Sequence, residues 1–249
     1  ADTYGFMHRT FLEYFCAVEI KERFNKRGVS GGLTFAELRD EIFGNHWNKK
    51  TWHEVLRLVC GQIESTFSLD IVNFLLNQKV DKSQHLTSQQ TYVDFIERME
   101  VEGFTNLLVA VDCFSEIKFS KTKLDIGERI KEVLIREIEE PQYALSYEAT
   151  ESVLVRIAQN FESEEILEWL KKLPIRDSDG WALPKQAAVW VIGDYFHKYP
   201  GTIHWLQLQS LEKINPGDIA GPVRWSAVKS VAEHYSYEPE TMTWLMQKA

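Results

Sequence analysis

Cysteine is scarce in this chain: Cys16, Cys60 and Cys113 are the only three, and they lie 44 and 53 residues apart. An odd count at such spacing excludes a dense disulfide framework and a Cys-x-x-Cys metal knuckle. Each sits in an apolar periodic run, so the expectation is three buried free thiols. Long hydrophobic runs are also missing. Stretches such as Ala187 to Gly193 are under half of the roughly 20 residues that a membrane span needs. No export signal stands before the first helix, and the expected setting is a reducing cytoplasm without membrane attachment. Basic charge is short as well, with 28 Lys and Arg against 37 Asp and Glu and a formal net charge of −9. That balance speaks against a nucleic-acid partner, which calls for a basic face. The deficit is concentrated: Glu128 to Leu170 holds eleven Glu against four Lys or Arg, a net −7.

Motifs that carry chemistry are equally thin. There is no Gly-x-x-x-x-Gly-Lys-Ser/Thr, and Gly31-Gly32 lacks both the following Lys and a preceding strand, so nucleotide hydrolysis by this chain alone is not expected. Asp177-Ser178-Asp179-Gly180 brushes against a calcium loop. Placing Gly180 at the sixth position puts Ile175 and Gln186 where carboxylates are required, which leaves a plain turn. The seven histidines never fall three or four apart, so spacing offers no zinc motif and the expectation is no metal site. No nucleophile elbow is present, and no catalytic residue is expected.

What is present is helical periodicity from end to end, and the chain reads as all-α. Leu12, Cys16 and Ile20 recur every fourth position beside Phe11, Phe15 and Val18, a wide apolar face suited to packing on two sides. This helix runs to about Phe24 and stops at Asn25-Lys-Arg-Gly28. Thr34 with Glu37 predicts a capping box, a helix ending at Gly44-Asn45, and a second box at Thr51 with Glu54. Further helices are predicted at Leu69–Asn77, Thr91–Glu100, Phe104–Ile117, Ile126–Glu139, Ala149–Asn160 and Ser163–Leu173.

The last third repeats itself. Val155 to Phe161 leads to Trp169-Leu170, Val189 to Phe196 leads to Trp205-Leu206, and Val228 to Tyr235 leads to Trp244-Leu245. From the small residue (Ala158, Gly193, Ala232) to the Trp the offsets are 11, 12 and 12, and the tryptophans are 36 and 39 residues apart. Each unit is a helix pair that cannot bury both its apolar faces alone, so neighbours must stack. The small residue is expected to admit the paired helix and the Trp to fill the seam between hairpins. Pro222-Val223-Arg224-Trp225-Ser-Ala227-Val228 looks like the first helix of a HEAT repeat. The expected architecture is a helical bundle followed by a HEAT-like α-α superhelix. Its boundaries are 1–27, 28–143 as a helical domain, and 144–249 as the repeats.

The opening stretch, Tyr4-Gly-Phe6-Met-His8-Arg-Thr10-Phe11-Leu-Glu13-Tyr14-Phe15-Cys-Ala17, is similar to the segment that closes the winged-helix part of NACHT-type signalling NTPases (the STAND class). Leu12 stands where animal members often carry Gln. Glu37 to Trp47 and Thr51 to Arg57 look like the stretch that follows this motif in bacterial, cyanobacterial-type members. The resemblance implies that the chain is the C-terminal arm of a larger switch protein whose ATP- and ADP-binding NACHT domain lies upstream. It implies that His8 senses the nucleotide state there by reaching the phosphates of ADP, through a charge-assisted hydrogen bond that exchange to ATP breaks. Such arms bind a protein partner, a ligand or their own NACHT domain, and hold the NTPase closed; the full-length protein can oligomerise on opening. Candidate contact residues are Trp181, which has no repeat equivalent, and the acidic belt around Glu137, Glu139, Glu140, Glu162, Glu164 and Glu165. A solvated helix face accounts for the same belt. The alternatives are a free-standing HEAT-like scaffold or a HEAT-like enzyme such as a bilin lyase.

Overall fold

The computed structural model describes residues 9–78, 104–118, 121–139, 147–174, 183–211 and 220–246. All regular structure among them is helical, and the chain divides between Val133 and Leu134 into two compact units. No helix among the described residues is long and apolar enough to cross a membrane. The helix expected at Thr91–Glu100 lies outside the described residues.

The first unit begins with α1 (Arg9–Asn25), which ends as its sequence requires: Gly28 takes a left-handed φ of +87°, open to glycine and costly for other residues. Only part of the predicted wide face is covered. Ala17, Ile20 and Phe24 are buried, whereas Phe11, Leu12, Tyr14 and Phe15 are exposed. The C-terminal half of α1 packs mainly on α3, and its Phe24 ring also meets Phe67 edge-on at 5.1 Å, whereas the exposed residues lie on its first two turns. The Thr34–Glu37 capping box forms in full, with the Thr34 amide donating to Glu37 Oε2 at 2.7 Å and the Glu37 amide to Thr34 Oγ1 at 3.2 Å.

The helix it opens, α2 (35–46), does not stop at Gly44-Asn45. It runs through the wider π-type turns of Leu38–Phe43 and on through Gly44–His46. Gly44 is helical, and a Cβ there would make only ordinary contact with the Phe74 ring at 3.6 Å, so the helix runs through this glycine beside Phe74. The second predicted capping box is also not made. A 3-10 turn, Lys50–Trp52, moves the start of α3 (His53–Gln62) past Thr51, and Glu54 is taken by Arg57 at 2.7 and 2.9 Å.

Helices α4 (Ser65–Leu76) and α5 (Thr105–Glu116) complete this core, α5 lying against both α3 and α4. Arg57 Nη1 also reaches Glu116, tying α3 to α5 on the half-buried rim. Beneath that rim Cys60 and Cys113 are buried and free, as their apolar runs predict, with the two thiols next to each other. The contact and burial together push the Cys113 thiol well above its ordinary value. Cys16 is only half-buried. Helix α6 (Lys121–Glu139) buries Ile126, Ile130, Leu134 and Ile138, one residue per turn.

The second unit holds α7 (Tyr147–Phe161), α8 (Glu164–Lys172), α9 (Leu183–Phe196), α10 (Thr202–Gln209), α11 (Ala220–Tyr235) and α12 (Pro239–Met246), and the short helices α8 and α10 pack more on the long helix that follows each, α9 and α11, than on the one before it. Helix α9 packs against both α7 and α11. Ala187, Ala188 and Val189 are consecutive and all fully buried, which only a helix enclosed on nearly every side permits. Ser163 caps α8, accepting the Ile166 amide at 3.2 Å, and such a cap is worth about 1 kcal/mol.

The small residue of the central unit behaves differently from expectation. A Cβ on Gly193 would come within 2.4 Å of Ser230 Cβ and Oγ, so its close approach is to α11, the first helix of the next predicted unit, and not to its predicted partner α10. Trp169 Nε1 donates to Glu139 of α6 at 2.8 Å, whereas Trp205 of α10 lies under Lys185 of α9, the first helix of its own predicted unit, at 5.1 Å. Lys185 Nζ donates to the Lys171 carbonyl at 2.6 Å, placing a cation at the C-terminal end of α8, where the helix dipole favours it.

Gly193→Ala is expected to destabilise the chain by about 1–3 kcal/mol through this overpacking, despite the better helix propensity of Ala. Ser230→Gly in the same chain should recover most of the loss. Urea titrations of the two single variants and the double variant check it, and additive effects would refute the contact.

Candidate functional site

Of the residues singled out from sequence, His8, Glu140, Trp181 and the Asp177–Gly180 turn lie outside the described residues. Glu139, Glu164 and Glu165 are described and exposed, and each has a structural occupation. Glu139 accepts the Trp169 indole N–H, linking α6 to α8. Glu164 and Glu165 fill the first turn of α8, where the unpaired amides favour negative charge, while Lys171 and Lys172 complement its other end. Glu162 sits beside Tyr199, and the burial of that phenol together with this carboxylate pushes the tyrosine above its ordinary value.

A tighter polar constellation lies where α9 meets α11. The enclosed helix α9 leaves Gln186, Trp190 and Asp194 half-exposed at four-residue intervals, so Asp194 stands on its solvent edge. On α11, Trp225, Lys229 and Glu233 form the corresponding stripe, with Lys229 Nζ 5.2 Å from the Trp225 ring centroid and 3.8 Å from Glu233. His234 follows, and its Nε2 donates to Asp194 Oδ1 at 2.8 Å across the seam. The ring of His197, just past the end of α9, stacks on that of His234 with centroids 4.8 Å apart and planes 12° from parallel.

Around these groups the hydrogen bonds are directional. His197 Nδ1 donates to the Asp194 carbonyl at 3.0 Å. A carbonyl only accepts, so Nδ1 carries the proton and, in the neutral ring, Nε2 keeps its lone pair. Tyr235 O–H donates to the His197 carbonyl at 2.5 Å and so ties α11 to the turn after α9. Asp194, Glu233 and His234 each present one ligand-type atom, and these atoms lie within 4.8 Å of one another. Sequence spacing did not reveal this set, because Asp194 is 40 residues from its partner His234. The signal that was there is the repeat alignment, which places the end of one first helix beside the end of the next.

A second surface is set by exposure alone. Phe11, Leu12, Tyr14 and Phe15 are 58%, 52%, 47% and 56% exposed, a run of large apolar groups on the two N-terminal turns of α1. Isolated exposed apolar residues are common; four neighbours on one helix are not.

Comparison with protein-family models, with curated proteins and with solved structures found no match to this chain.

Burial pushes the Tyr235 phenol up from 10.0 to about 12. The folded chain therefore holds this proton more tightly than the unfolded chain does. The phenol's contribution to stability is complete below about pH 10 and is lost as pH rises toward 12. Tyr235→Phe is expected to flatten that alkaline loss and to remove a late tyrosine ionisation, as read by tyrosinate ultraviolet absorbance. An unchanged alkaline limb would show that another group is responsible.

Proposed function

We propose that this chain is the C-terminal regulatory arm of a NACHT-type signal-transducing NTPase, with no catalysis of its own. In this reading α1 carries the end of a winged-helix segment. The helix pairs α7/α8, α9/α10 and α11/α12 stack as a HEAT-like solenoid that receives a protein or ligand and keeps the NTPase closed until it arrives. The one observation that carries it is the uncovered aromatic face of α1. The helix that bears Thr10, Phe11, Glu13 and Tyr14 of the NACHT-like motif also leaves Phe11, Leu12, Tyr14 and Phe15 exposed, as a helix does when its natural neighbour is another domain. The placing of α9 between α7 and α11 supports the receiving role, because helices added side by side extend a surface without needing a single central core. ATP and ADP belong to the upstream domain, where His8 would meet the diphosphate. A ligand of the arm shifts the switch only by binding the open state better than the closed one.

The test is made in the natural full-length product. Phe11→Ser with Phe15→Ser should release the arm and raise basal ATP hydrolysis several-fold, while thermal unfolding of the 249-residue chain stays within about 0.5 kcal/mol of the parent, because both rings are exposed. His8→Ala should likewise weaken ADP retention. Unchanged hydrolysis in the double variant, or a natural product with no Walker A sequence ahead of this chain, would leave a free-standing scaffold in its place.

A further inference from the structure

We propose that Asp194, Glu233 and His234 form a three-ligand site for a first-row divalent transition-metal ion, zinc foremost, on the seam between α9 and α11. The inference is independent of whether the chain is the arm of an NTPase.

The donor set is one imidazole and two carboxylates, from two helices, with ligand atoms gathered within 4.8 Å. Zinc accepts His nitrogen and Asp or Glu oxygen at about 2.0–2.2 Å, and three protein ligands with water in the fourth place is its usual open arrangement. Tetrahedral ligand atoms at that distance are about 3.3–3.5 Å apart, so closure asks the exposed Glu233 side chain to move in by about an ångström and the His234 and Asp194 ligand atoms, 2.8 Å apart, to part by about half an ångström. Nothing strong opposes that shift. Among the described residues Glu233 meets Lys229 at a long 3.8 Å, with both side chains nearly half exposed, a pairing worth little. Asp194 and Glu233 are two carboxylates brought close together, and a divalent cation between them removes their repulsion.

The scaffold around the three donors is rigid where it needs to be. Gly193 faces Ser230 where α9 comes close enough to α11 to leave no room for a Cβ. Asp194 is the next residue along one helix, and His234 lies four residues from Ser230 on the other, one turn away. The stacked His197 ring fixes the plane of His234 from one side. His197 is itself anchored by its own donation to the Asp194 carbonyl and by the Tyr235 hydroxyl on its carbonyl. This is the supporting layer that orients metal-binding imidazoles and carboxylates.

Without metal, the His234 Nε2 proton is shared with Asp194 Oδ1 at 2.8 Å. On binding, that proton moves to Nδ1 or leaves to solvent. Nε2 then presents its lone pair, and the ion takes the position between the two side chains. Oxygen and imidazole donors together favour zinc, cobalt, nickel and iron over magnesium and calcium, which require more oxygens.

The test uses the 249-residue chain after chelator treatment, titrated with Zn2+ by calorimetry and with Co2+ by visible absorption. One ion per chain is expected, with the cobalt spectrum of a low-coordinate N/O site. Glu233→Gln and His234→Gln should each weaken Zn2+ binding by at least about 100-fold, and His197→Ala by about tenfold. His204→Gln should leave it unchanged. Glu233 is exposed, so its variant keeps the fold, and circular dichroism verifies this. Absence of saturable binding in the parent chain overturns the proposal. So does binding that persists unchanged in Glu233→Gln and His234→Gln.

Discussion

The second unit depends on how closely α9 approaches α11. At Gly193 there is no room for even a methyl group, because Ser230 occupies the space. That contact lets Val189, Val191, Ile192 and Phe196 be fully enclosed and lets Val223, Ala227 and Val231 close against them. The same proximity sets the polar seam, since Asp194 and His234 can bond at 2.8 Å only where the two helix axes are near. Packing and site geometry are therefore one constraint.

In the first unit the comparable role falls to Arg57. Its guanidinium pairs with Glu54 on its own helix and reaches Glu116 on α5, and these carboxylates raise its already high proton affinity. A planar fork that meets two carboxylates orients both helices, which a lysine at that position would not do. The buried Cys60–Cys113 contact lies between the same two helices, so one interface combines a polar rim with a soft apolar interior.

Charge is used locally in this chain. The acidic belt looks in sequence like one surface, yet its members have separate tasks: Glu139 holds Trp169, Glu164 and Glu165 begin a helix, and Glu162 neighbours Tyr199. The excess of negative charge between Glu128 and Leu170 follows in part from helix starts and tryptophan anchors. The exposed aromatic residues of α1 meet chiefly solvent and, for Tyr14 and Phe15, each other, which is why the proposed function rests on them and not on the belt.

Periodicity and capping chemistry are short-range, and they made most helices legible from sequence: α5 and α7 appear within two residues of their expected limits, and the Thr34–Glu37 box forms as predicted. Where local signals misled, a tertiary neighbour had intervened. Gly44 packs beside Phe74 instead of ending a helix, and Glu54 is claimed by Arg57 instead of a capping amide. The repeat of small residue, aromatic and Trp-Leu was determined by the chain itself, because hydrophobic spacing along a helix needs no partner to be read. Which helix Gly193 admits, which face of α1 stays bare, and that Asp194, Glu233 and His234 meet were decided only by tertiary structure. Such meetings depend on distances between helices far apart in the chain, and those distances are set by the summed packing of side chains that no local pattern encodes.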